Sequence, residues 1–273
     1  MATIDAPVDA APASRPRWLL ALVTLVAFVL IDNVRHVFYR SDAYLRIAHA
    51  SPAAGVSVWK AAQVVLTVLV VMATYRIDVR GAARELGLGP RVGQSLALAF
   101  VITLPMLLLV ALATRSLAPD LNGAVLIRTA VASAVSEELL YRGYLFRQLY
   151  RRAGWPFWLA ALVNALPFAA GHLYQAEGRG LAGFAEVMAY MSVVAAFTAW
   201  VFTRWGDDTW LLIGVHGLAN LWWALFVGDD TSRLYGWLQY AVLVALVVPA
   251  VLLTLLRRRL PWLRAAGGRE APG

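Results

Sequence analysis

The chain alternates long apolar runs with short polar breaks and shows no period-two alternation of the kind that marks strands. Eight apolar segments can be traced: residues 18–31, 56–74, 93–113, 123–146, 157–174, 181–202, 209–227 and 235–256. Most approach the roughly 20 residues that an α-helix needs to cross a bilayer. The breaks carry helix-stopping residues, such as Ser51-Pro52, Gly87 to Pro90, Gly154 to Pro156 and Gly206 to Asp208. The pattern predicts an all-α, polytopic membrane protein with about eight transmembrane helices. It places them in one helical domain over residues 15–260, after a disordered tail (1–14) and before a C-terminal tail (261–273). Asp32, Asn33 and Arg35 follow the first run where a signal peptide would carry small residues, so that run reads as an uncleaved span.

Composition sharpens this picture. Of the 273 residues, 61% are apolar and 15% charged, against about 45–50% and about 25% in soluble domains. An ordinary soluble enzyme is excluded. The net charge of +8 sits mainly in the breaks, which points to anionic lipid rather than nucleic acid as the partner. With both termini on one side, that side collects Arg15 and Arg17, the arginines of 76–91 and 147–152, and those after 256. The other side holds far fewer. The bias predicts cytoplasmic termini, in what the Arg-rich composition suggests is a bacterial inner membrane. The chain has no cysteine, which excludes thiolate metal sites and a cysteine nucleophile. Its one lysine, Lys60, lies near a span end and is expected to snorkel.

Charge inside a bilayer costs about 2.5–3.5 kcal/mol per group on insertion scales. Segment four nevertheless carries Glu137, Glu138 and Arg142. Glu138 and Arg142 are four apart and can pair on one face. Glu137 is rotated by about 100° and can face elsewhere. Segment five carries Asn164, Phe168 and His172 at spacings of four, with Gly171 and neighbouring alanines permitting close helix approach. Segment seven carries His216 and Asn220, also four apart. Each group alone reads equally as a helix-to-helix contact. Trp222 and Trp223 read as packing, and Glu186 as a helix contact or a cavity residue. Together, a carboxylate, two imidazoles and an amide in three spans suit hydrolysis: a buried carboxylate acts as base toward water, and His and Asn donors hold an oxyanion. From the residues alone, Glu137, His172 and His216 could also form a His₂Glu zinc site; the polar groups could equally form a proton or ion relay in a transporter, or a structural ion-pair network holding the bundle.

The motifs EExxxR (Glu137, Glu138, Arg142), FxxxH (Phe168, His172) and HxxxN (His216, Asn220) occur in the order found in the CPBP family (CAAX proteases and bacteriocin-processing enzymes, also called Abi), and the core at about 123–227 resembles it. Its best-known member is the type II CAAX prenyl endopeptidase. The resemblance implies a glutamic-type intramembrane protease. Glu137 would activate water, His172 would position it, and His216 and Asn220 would stabilise the oxyanion. Glu138, Arg142 and Phe168 would support the site. It implies no cofactor, zinc being the less favoured alternative, and a membrane-associated protein or peptide as substrate. A non-catalytic membrane scaffold or immunity protein is the contrasting expectation. Straight, upright spans would put His172 about 22 Å along its helix and His216 only about 10 Å along its own, so the site needs tilted helices.

Overall fold

A computed structural model describes residues 16–119, 121–228, 236–257 and 259. The terminal tails expected at 1–14 and 261–273 lie outside the described residues. Helix α1 (Arg17–Asp32) leads through a turn to the one-turn helix α2 (Arg35–Phe38) and the short α3 (Asp42–Ala50). Next come α4 (Pro52–Tyr75), the short α5 (Val79–Glu85) and α6 (Val92–Thr114). A continuous helix, α7, spans 123–152. Helices α8 (Phe157–Ala170), α9 (Gly180–Arg204), α10 (Thr209–Phe226) and α11 (Trp237–Leu256) complete the described elements.

Local chemistry sets the helix starts. Ser51 Oγ accepts from the Ala54 N–H, with Pro52 in the first turn of α4. Asp78, Asn122 and Asp208 cap α5, α7 and α10 in the same way. Arg76 and Arg115 take the left-handed conformation at the ends of α4 and α6.

Six helical stretches are long and apolar enough to cross a membrane: 17–38, α4, α6, α9, α10 and α11. The protein is therefore a polytopic all-α membrane protein. The other two expected spans differ from the sequence reading. Segment four runs on to 152, six residues beyond its expected end, and is too polar to count by composition. Segment five gives only 14 helical residues. Gly171 begins a turn there, and a 3₁₀ turn follows over Leu173–Ala176. A Cβ on Gly171 would meet nothing closer than 3.5 Å, so this glycine ends a helix and does not mediate the close approach expected of it.

Helix α7 is the axis of the bundle. Leu139, Leu140, Leu145, Phe146 and Leu149 are fully buried in the main core, with α1, α4, α8, α9 and α10 packed round them. Much of α7 is wound in wide π-type turns, over Ile127–Ser133, Glu138–Phe146 and Gln148–Arg152. Such turns recur at functional sites because they re-aim side chains. Phe157 on α8 packs against Phe146 at 5.6 Å, while Phe168 packs against Tyr141 at 5.3 Å. Phe157 also packs against Tyr150 at 6.0 Å, so α8 runs back along α7. His172, just past the end of α8, lines the same cavity as His216.

An ion-pair knot closes the arginine-rich end of the bundle. Glu85 accepts from Arg147 at 2.9 Å, from Arg152 Nε at 2.8 Å and from Gln148 at 3.2 Å. Burial pushes the Glu85 carboxyl up, but the hydrogen bond from Arg152 and the charges of Arg147 and Arg152 hold it below its ordinary value. Asp207 forms a two-pronged pair with Arg151, both contacts at 3.0 Å.

Candidate active site

The motif residues converge on a cavity of ≈ 390 Å³ between α7, the end of α8, α9, α10 and α11. Glu137, Glu138, Arg142, Phe168, His172, His216 and Asn220 all line it, and the rest of its wall is largely apolar. The two adjacent carboxylates have different surroundings. The Glu137 side chain keeps 15% exposure at the cavity, whereas Glu138 keeps 2%.

Glu138 is buried, and both of its donors meet one oxygen. Its Oε1 accepts from Arg142 Nη1 at 3.1 Å and from His216 Nδ1 at 2.7 Å. Arg142 is fully buried, donates to Thr198 Oγ1 at 2.8 Å and lies over the Phe168 ring at 4.3 Å. One guanidinium thus ties α7 to α8 and α9, using both its hydrogen bonds and its flat face.

The histidines are oriented by their Nδ1 atoms. His172 donates from Nδ1 to the Phe168 carbonyl oxygen at 2.7 Å, and its ring lies 4.7 Å from the Phe168 ring. A neutral ring with that hydrogen bond carries its free lone pair on Nε2. His216 gives its Nδ1 hydrogen to Glu138, and its Nε2 stands 4.0 Å from Glu137 Oε2. That gap is too long for a direct hydrogen bond. Asn220 donates one amide hydrogen to the Thr129 carbonyl at 2.9 Å.

Helix α10 reaches this position because its face is stripped of side chains. A Cβ on Gly217 would lie 2.5 Å from the Ala130 carbonyl oxygen, and one on Gly214 would lie 2.6 Å from Ala99 Cβ. The two glycines seat α10 between α6 and α7, the small-residue packing typical of membrane helices. His216 lies between them in sequence.

One expectation is corrected outright. Lys60 does not snorkel. It lies eight residues into α4, about 12 Å along the axis, and its Nζ pairs with Glu137 Oε1 at 2.7 Å. Its signal was available: it is the one lysine of the chain, placed inside an apolar helix. Behind it, the Tyr141 hydroxyl donates to Asp32 Oδ1 at 2.9 Å. Of the remaining candidates, Glu186 and Trp222 fall outside the convergence. Glu186 pairs with Arg179 and accepts from the Tyr240 hydroxyl, joining α9 to α11 away from the cavity lining. Trp222 packs near Phe100 and donates to Thr103 Oγ1 at 3.2 Å. Trp223 lines the cavity wall.

These features define a class: a polytopic membrane protein with a carboxylate and two imidazoles facing one cavity inside the helical bundle. The family model described as type II CAAX prenyl endopeptidase Rce1-like matches residues 119–222. The matched stretch contains all three motifs and supports a protease-type activity. No curated protein and no solved structure matched the chain.

Proposed function

We propose that the protein is an intramembrane endopeptidase that hydrolyses a peptide bond of a membrane-associated protein or peptide. One observation carries this reading: Glu137, His172 and His216, from three separate helical segments, face one cavity inside a bundle of membrane-length helices, and the family match covers all three. Glu137 Oε2 takes a proton from a water that also donates to His172 Nε2, while the water oxygen attacks the scissile carbonyl. The oxyanion formed faces His216 Nε2 and the Asn220 amide. In this role His216 is imidazolium, because its Nδ1 hydrogen is committed to Glu138 and Nε2 donates only in the doubly protonated ring. The intermediate collapses, the C–N bond breaks, and the proton on Glu137 passes to the leaving amine.

The proposed chemistry uses no metal: the Lys60 ammonium contacts the carboxylate that a His₂Glu zinc site would require. In the same proposal α7 and α8 complete eight membrane crossings, both termini face the cytoplasm, and lipid surrounds the bundle. The test compares protein termini, by terminal-peptide mass spectrometry, in membranes of cells carrying wild type or Glu137→Gln at matched expression. A defined new terminus that vanishes in the variant, and reappears with purified wild type, supports the reading. Unchanged termini alongside a clear deletion defect overturn it in favour of a non-catalytic scaffold.

A further inference from the structure

The chain pairs its one lysine with the carboxylate that faces the cavity. Lys60 Nζ sits 2.7 Å from Glu137 Oε1, and its side chain is 9% exposed. Lys60 is not among the residues that line the cavity, whereas Glu137 is. The ammonium therefore meets the carboxylate from behind, on the α4 side. The other oxygen, Oε2, is left toward His216 Nε2. Lys60 is itself held in place: the Trp59 ring lies 4.6 Å from its Nζ. Asp32 lies near Lys60 and accepts from the Tyr141 hydroxyl. The α1 and α4 backbones are locked together beside it, with Gln63 Nε2 donating to the carbonyls of Ile31 and Asp32 at 3.4 and 3.5 Å.

A buried carboxylate takes up a proton more readily the weaker the cationic contact beside it, and Lys60 touches Glu137 at 2.7 Å whereas His216 stands off at 4.0 Å. A carboxylate free to rotate offers either oxygen to water, and catalytic groups need their reacting atom fixed to within a fraction of an ångström. The Lys60 contact answers both requirements.

We propose that Lys60 is a positioning residue for the reaction: from outside the cavity it keeps Glu137 a carboxylate and fixes its rotation so that Oε2 is the oxygen presented to water. This rests on the proposed protease reading, but it can fail separately. A structural ion pair is the competing explanation, so the test needs a readout that stability does not move.

Dicyclohexylcarbodiimide provides one. It is apolar, enters membrane interiors and reacts with protonated carboxyl groups. Purified full-length wild type, Lys60→Met and Lys60→Arg would be treated with it at pH 7, and labelling of Glu137 followed by mass spectrometry. Labelling is expected to run at least tenfold faster in Lys60→Met than in wild type, with Lys60→Arg within threefold of wild type. In parallel, production of the Glu137-dependent terminus in membranes should fall at least tenfold in Lys60→Met and be largely restored in Lys60→Arg. Equal labelling of Glu137 in wild type and a Lys60→Met protein that melts cooperatively overturns the inference. So does a wild-type cleavage rate in Lys60→Met. If Lys60→Met does not fold, Lys60→Gln, which keeps a hydrogen-bond donor without charge, takes its place with the same two readouts. If Glu137→Gln cleaves normally, the protease reading fails, whatever the labelling shows.

Discussion

Gly217 gives the sharpest test of how the helices place the site. A Cβ at this position would stand 2.5 Å from the Ala130 carbonyl oxygen of α7. The shortest common carbon–oxygen contact is about 3.3 Å, so in Gly217→Ala the helices must part by roughly 0.8 Å. The opposing atom is helix backbone and has no rotamer to escape into. Overpacking of this kind costs about 1–3 kcal/mol. Alanine's better helix propensity returns about 1 kcal/mol, which leaves a net loss of up to about 2 kcal/mol. The functional effect should exceed that. The same displacement stretches the 2.9 Å bond from Asn220 to Thr129 beyond the roughly 3.2 Å limit of a good hydrogen bond. It also carries His216 away from Glu137. Since a misplacement of about 1 Å costs on the order of 100-fold in rate, cleavage should fall at least tenfold. The assay is thermal unfolding of purified protein together with production of the Glu137-dependent terminus. Gly93→Ala is the control, because nothing lies within 4 Å of its added Cβ and it should be neutral or slightly stabilising. Wild-type stability and cleavage in Gly217→Ala would refute the claim that bare backbone contact seats α10.

Three other outcomes follow from the same packing and charge arguments. Glu138→Ala leaves the fully buried Arg142 without its carboxylate and should cost about 3–5 kcal/mol, read as a lowered melting temperature; Glu138→Gln, which keeps an acceptor oxygen, should cost less. Because the folded Glu85 carboxyl titrates below its unfolded value of about 4.3, its stabilisation is complete above that pH and is lost as pH falls through the folded value. Melting curves from pH 7 to 3 should therefore show the gap between wild type and Glu85→Gln narrowing on acidification. Stripping divalent metal with EDTA or 1,10-phenanthroline should leave formation of the Glu137-dependent terminus unchanged; loss of it, with recovery on adding zinc, would reinstate the His₂Glu alternative.

The sequence by itself determined the class of fold, because apolar runs near 20 residues long have few stable solutions other than helices in a bilayer. It also singled out the motif residues, since each stands as a polar exception in an apolar span, and spacings of three and four convert directly into shared helix faces. The Glu138–Arg142 pair was legible for that reason, as was the different outlook of Glu137. What the linear pattern could not carry is geometry between helices. The convergence of His172 and His216 on one cavity depends on how α8 and α10 pack against α7, which residue spacing within a single helix does not encode. The pairing of His216 with Glu138 joins residues 78 apart in the chain. Lys60 shows the limit most plainly. Its identity was visible, but a lysine in an apolar helix can reach for the lipid interface or for a buried carboxylate, and the choice between them is made by the partner that the fold brings within 2.7 Å, 77 residues away in sequence.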